Sequence, residues 1–220
     1  MKNKIVFKLT NENGQTRGMT QWGENVSHTA KGDGKELCSD GWIHYYTHPL
    51  LAVLMNPVHA KFASPKLWEA EASGEIINEP LKSGCKTLRT IKEIPLPEIS
   101  RVQRIAFGIL CAKEVYDDEA WNSWADKWLS GDDRSKESAY AADAANAADA
   151  AAYANTAADD ANADAAASYA ALAAARAARA ARADAYNAAA AAADARAAAH
   201  ASAEKAINFI ELAEKAMTYK

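Results

Sequence analysis

Between about residue 139 and about residue 203 the chain is close to two-thirds alanine, and no glycine or proline occurs after Gly131. Alanine has the highest helix propensity and gives up no side-chain entropy on becoming helical. The tail is therefore expected to be helix from end to end. It carries almost no chemistry, so it reads as a scaffold, a spacer or an assembly element. Any small-molecule function is left to the residues before it.

Two arrangements of the tail are open. One straight helix of about 80 residues would run about 120 Å. A helical hairpin is the alternative, and charge favours it. Asp143, Asp149, Asp159, Asp160 and Asp164 sit in the first half, and Arg176, Arg179, Arg182 and Arg196 in the second. An antiparallel pair sets acid against base. Asn155-Thr156 and Asp159 to Asn162 hold the weakest helix formers and mark the place for a break. Alanine faces let helices approach closely and hold by many small dispersion contacts.

At 220 residues the natural count is one ordinary domain with a helical appendage. The net charge of −4 divides unevenly. Up to residue 138 there are 18 Lys and Arg against 19 Asp and Glu, and beyond it 7 against 10. Neither part is basic enough for general nucleic-acid binding. Cys38, Cys85 and Cys111 are an odd, sparse set, which speaks against a disulfide framework and for a reducing, cytoplasmic compartment. The N-terminus has no signal peptide, and Asp, Asn and Arg interrupt the alanine run too often for a membrane span.

The expected fold class is α+β: a small mixed domain over residues 1–131, ending in two helices, then an Ala-rich helical extension over 132–220. Ile5, Phe7 and Leu9 alternate with Val6 and Lys8 in a first strand. Asn11 to Gly14 is a turn, and Thr16 to Trp22 the return strand of a hairpin. Residues 23–40 read as a polar, Gly-rich loop. Trp42 to Tyr46 is a strand, and Pro49 opens a helix that Asn56-Pro57 ends or kinks. Leu67 to Ile77 is a strand with Trp68, Ala70 and Ala72 on one face and Glu69, Glu71 and Ser73 on the other. Lys86 to Ile94 is a further strand. Ser100 and Gln103 form a capping box for a helix over 101–116, with Val102, Ile105, Ala106, Ile109 and Leu110 as its buried stripe. Asp117 or Asp118 caps the next helix, which carries Trp121, Trp124 and Trp128 and closes at Gly131.

Chemistry is sparse. The densest polar and aromatic cluster runs from Cys38 to Pro49. On a strand His44 and Tyr46 share a face, and His48 stands at the N-terminus of the following helix, an arrangement able to hold a phosphate or a ribose. Gly41-x-x-His44-x-x-Thr47 feeding a helix, with a Glu-rich strand after it, resembles ADP-ribosyltransferase-like folds. The resemblance implies that a His or Tyr positions NAD and that Glu69, Glu71 or Glu75 does the chemistry. The candidate ligand-binding residues are therefore His44, Tyr46, His48, Glu69 and Glu71. No catalytic constellation, metal-ligand spacing or phosphate loop stands out, and no cofactor is implied. Structural roles are the simpler account: satisfied histidines, core tyrosines, and tryptophans packed in a helix interface.

Five stretches carry a second resemblance, in this order: Leu37-Cys-Ser-Asp-Gly-Trp-Ile-His44, Pro49-Leu-Leu-Ala-Val-Leu-Met-Asn-Pro57, Leu67-Trp-Glu-Ala-Glu-Ala-Ser-Gly-Glu75, Ala106-Phe-Gly-Ile-Leu-Cys-Ala112 and Trp128-Leu-Ser-Gly-Asp-Asp-Arg134. With the Ala-rich tail they resemble an uncharacterised family of tailed-phage and prophage proteins. The resemblance covers about residues 1–137 and implies a phage or bacterial cytoplasmic origin, with no established activity. The expectation for function is a non-enzymatic interaction or scaffold module that meets a protein partner or self-associates through the tail. The alternative is a nucleotide-binding domain, either ADP-ribosyltransferase-like or a sponge for a host-defence nucleotide signal.

Overall fold

The computed structural model describes residues 5–142, 174, 177, 178, 195–199 and 206–220. The chain is α+β, with antiparallel strands followed by helices. It divides into two compact units, Met1–Glu98 and Ile99–Lys220. The two helices that composition groups with the N-terminal domain thus belong to the second unit.

The first unit holds β1 (Ile5–Thr10), β2 (Gln15–Thr16), β3 (Thr20–Gln21), β4 (Ser27–Thr29), β5 (Ile43–Tyr45), α1 (Pro49–His59), β6 (Lys66–Asn78) and β7 (Ser83–Ile94). The strands run in the order β1-β6-β7-β4, with β5 also on β7. Phe7 and Tyr46 exchange both backbone hydrogen bonds at 2.8 Å. That bridge ties β1 to the end of β5, so β1, β6, β7 and β5 form a closed ring. Long strands close so tightly only by bending. The β6–β7 ladder shifts register at Glu69/Ala70 and at Ser73/Ile76, and Gly74, at φ 78°, lies in the second bulge.

Inside the ring Val6, Trp22, Tyr45, Ala70, Cys85 and Leu88 make the core, with Ile43 and Ala72 against them. Lys8 and Thr10 are buried with Val6, while Ile5 is exposed. The lysine that alternation would send to solvent is therefore inside. On the other side α1 packs against β1, burying Leu51 to Met55 without a break.

The expected hairpin between β1 and residues 16–22 does not form. The turn itself does: Asn11 Oδ1 accepts from the backbone N–H groups of Asn13 and Gln15. Beyond it β2 and β3 pair only with each other, because β1 already has β6 on one edge and Tyr46 on the other. The loop expected over 23–40 contains β4, which pairs with β7. Pro57 does not end α1, which runs to His59. Asn56 manages the exit instead: its carbonyl accepts from Ala60 and Lys61, and its amide exchanges two hydrogen bonds with Phe62.

The second unit holds α2 (Arg101–Lys113), α3 (Glu119–Ser130), a helical stretch over 136–142 and α4 (Phe209–Ala216). Ser100 and Gln103 complete the capping box, Asp118 caps α3, and Gly131 closes it in the left-handed region at φ 88°. α2 is not a one-sided stripe. Every residue from Ile105 to Ala112 is buried, so neighbours enclose it. Val102, expected in the stripe, is only partly buried. Ala174, Ala177, Ala178, Ala195, Ala197 and Ala198 are helical and buried. The chain is not helix to its end, because residues 206–208 are non-helical and Asn208 caps α4 by accepting from Glu211 N–H. The choice between one long helix and a hairpin lies outside the described residues.

Candidate functional site

His44 and Tyr46 project from the outer face of the ring, opposite in sense to Tyr45 in the core. Each is engaged by the fold. His44 Nε2 lies 2.5 Å from the Leu37 carbonyl. Burial holds its pKa below the usual imidazole value, opposed by that carbonyl and aided by the charges of Lys82 and Lys8. The ring is thus neutral at pH 7 and donates. Tyr46 hydroxyl meets His59 Nδ1 at 3.2 Å, and the two rings stack. Burial pushes the phenol well above its ordinary range. His48 caps α1, its Nδ1 accepting from Leu50 N–H at 3.3 Å.

Glu69 and Glu71 stand on the outer face of β6, paired across to Lys92 at 3.4 Å and Arg89 at 3.9 Å. Phe7 lies between Tyr46 and Glu69 in one row of the sheet. Two strand spacings separate them, roughly 10 Å. The candidate carboxylates, His44 and Tyr46 are therefore on one face, but each is turned to its own neighbour. Glu75 is exposed within the second bulge.

The chemistry that sequence patterning missed is inside the ring. Lys8 Nζ donates to the His44 carbonyl at 2.7 Å and lies 5.1 Å from the centre of the Trp22 ring. Burial lowers its pKa to about 8. Cys85 lies close enough for their charges to interact, and burial pushes its thiol up to about 11. Thr10 accepts from the indole N–H of Trp68 at 3.0 Å. A lysine between Val6 and Thr10 looks like any outward residue of a half-buried strand. Only the double coverage of β1 makes it internal. Among the described residues no disulfide joins the three cysteines, and Cys111 is buried in α2 as its apolar neighbours suggest.

Among the described residues no group of three metal-ligating side chains comes together. Among them too, no helix is long and apolar enough to cross a membrane. The chain matches no family model, no curated protein and no solved structure.

Proposed function

We propose that this chain is a non-enzymatic interaction or scaffold protein of the phage or prophage accessory type. Its sheet unit meets a protein partner, and its Ala-rich tail, as one long helix or a helical hairpin, extends it, braces it or self-associates. One observation carries this reading: every candidate ligand-binding side chain already serves the fold. His44 holds Leu37, Tyr46 holds His59, His48 caps α1, and Glu69 and Glu71 pair with Lys92 and Arg89. The buried alanines of the tail add support, since small side chains allow close helix contact without chemistry.

Sedimentation velocity of the full chain over a concentration series tests the assembly half. A species heavier than the 23.6 kDa monomer is expected. A lone monomer at every concentration would remove self-association and leave only a foreign partner. The nucleotide reading has its own measurement. Thermal stabilisation by NAD, ADP-ribose or a cyclic dinucleotide that disappears in His44→Ala would replace the scaffold reading, because a ligand bound to the native state raises its stability by mass action.

A further inference from the structure

Cys38 and Lys82 lie 44 positions apart in the chain, yet Lys82 Nζ donates to Cys38 Sγ at 2.9 Å. The approach is held from both sides. Leu37, next to the cysteine, is buried, and it packs so closely that a Cβ on Gly84 would stand 2.5 Å from its Cδ1. The Leu37 carbonyl is fixed as well, by His44 Nε2. Lys82 closes the turn between β6 and β7, its carbonyl accepting from Glu79 N–H at 3.0 Å, and its neighbours Leu81 and Ser83 are buried. The β5–β7 ladder brings the two anchors together by setting His44 opposite Gly84 and Tyr45 opposite Ser83. Cys38 itself is exposed, and Lys82 is half-buried. Lys66, Arg89 and Lys92 of the same unit each pair with a carboxylate. Among the described residues Lys82 pairs with none, and its side chain meets sulfur instead.

An accessible thiol is open to peroxide, and the sulfenic acid it forms condenses with a nucleophile held beside it. In many redox sensors that nucleophile is a second cysteine. Here Cys85 and Cys111 are completely buried, so neither offers a thiol at the surface. An amine stands in that place. We propose that Cys38 and Lys82 form a reversible sulfenamide cross-link when the chain meets hydrogen peroxide. In the first step the O–O bond of the peroxide breaks, one oxygen joins the Cys38 sulfur as sulfenic acid, and the other leaves as water. In the second the unprotonated Lys82 nitrogen attacks that sulfur. The S–N bond forms, the S–O bond breaks, and the hydroxyl leaves with an amine proton as water. Peroxide is reduced, sulfur is oxidised by two electrons, and the chain loses two hydrogens. Two thiols reverse the link: the first takes the sulfur into a mixed disulfide and returns the amine, and the second releases the cysteine. The bond fastens the loop before β5 to the turn between β6 and β7. The proposal goes beyond the scaffold reading and does not depend on it.

The test treats the full-length chain with hydrogen peroxide and maps its peptides by mass spectrometry without reductant. The expected product is one linked peptide holding Cys38 and Lys82, about 2 Da lighter than its two parts together. Dithiothreitol should separate it into the unmodified parts. Lys82→Arg keeps a cation beside the sulfur and removes the attacking amine. Oxidation of that variant should stop at the sulfenic acid, about 16 Da heavier than the thiol and captured by dimedone. Cys38→Ala should give neither product. The proposal is overturned if peroxide turns Cys38 into its oxygen acids, or into a disulfide between two chains, while the Lys82 peptide stays unlinked. It is equally overturned if the linked peptide persists in Lys82→Arg, or if the link carries an added oxygen between sulfur and nitrogen.

Discussion

Lys8 and His44 are joined across the closing seam of the ring by a hydrogen bond from ammonium to backbone carbonyl, 2.7 Å long. The Phe7–Tyr46 bridge holds the same seam through the main chain. A side chain thus extends a ladder that the backbone carries for only one residue pair, and it does so with a charge taken out of water.

That charge has a cost that depends on pH. Folded Lys8 loses its proton near pH 8, whereas in the unfolded chain it keeps it to about 10.5. Below pH 8 both states are protonated, and the full penalty for the buried charge is present. Between those values the unfolded state binds more protons, so stability rises with pH. Lys8→Met should therefore stabilise the chain at pH 7, by on the order of 3 kcal/mol. Its advantage over the parent should shrink as pH climbs through 8 to 9. Cys85 acts in the opposite sense above pH 9, because the buried thiol keeps its proton to about 11 while the unfolded thiol has lost it. Urea unfolding of both proteins at pH 7 and pH 9 checks the sign. An advantage that grows with pH would refute it.

Thr10 and Trp68 offer a test of a buried neutral hydrogen bond. Thr10→Val keeps the shape and leaves the indole N–H without its acceptor, so the expected loss is about 1–3 kcal/mol. Adding Trp68→Phe to Thr10→Val removes the orphan. The two changes should then be less costly together than their separate effects suggest, as a double-mutant cycle by chemical denaturation would measure.

Two glycines should differ by mechanism. A Cβ on Gly41 would stand 2.1 Å from the Gly34 carbonyl oxygen, a backbone atom that cannot step aside. Gly41→Ala should cost about 3 kcal/mol or more through overpacking. Gly18 has open space around it but sits at φ 72°. Gly18→Ala should cost only about 1 kcal/mol, the strain of a left-handed alanine. Equal losses in thermal unfolding would contradict this ordering.

Gln103 links the ends of two helices. Its Oε1 accepts from Ser100 N–H at 2.8 Å, and its Nε2 donates to the Met217 carbonyl at 2.9 Å. Gln103→Ala should cost about 1–2 kcal/mol. It should also raise hydrogen exchange at both the start of α2 and the end of α4. Faster exchange at α2 alone would mean that the contact with Met217 contributes nothing.

The parts of this fold that were legible beforehand are those with local causes. Ser100, Asp118 and Gly131 announce helix ends through their own backbone chemistry, and each does what its residue type suggests. β6 shows its two faces because Trp68 and Ala70 alternate with Glu69 and Glu71. The hidden parts depend on distant partners. Nothing near β1 says that Tyr46 and β6 will flank it, so the hairpin expected there was the wrong local solution. α2 hides its enclosure for the same reason. The candidate site follows this division. His48 as a cap could be anticipated from Pro49, whereas the uses of His44 and Tyr46 rest on Leu37 and His59. Lys8 gave no signal at all.

The closed ring also governs the order of events during synthesis. β1 has no strand partner until Tyr46 and then β6 have left the ribosome, and β6 needs β7, which ends at Ile94. Pairings that span so much chain are slow to find. The newborn N-terminus must therefore wait with Val6 and Leu9 uncovered, a window in which aggregation or a chaperone competes with folding.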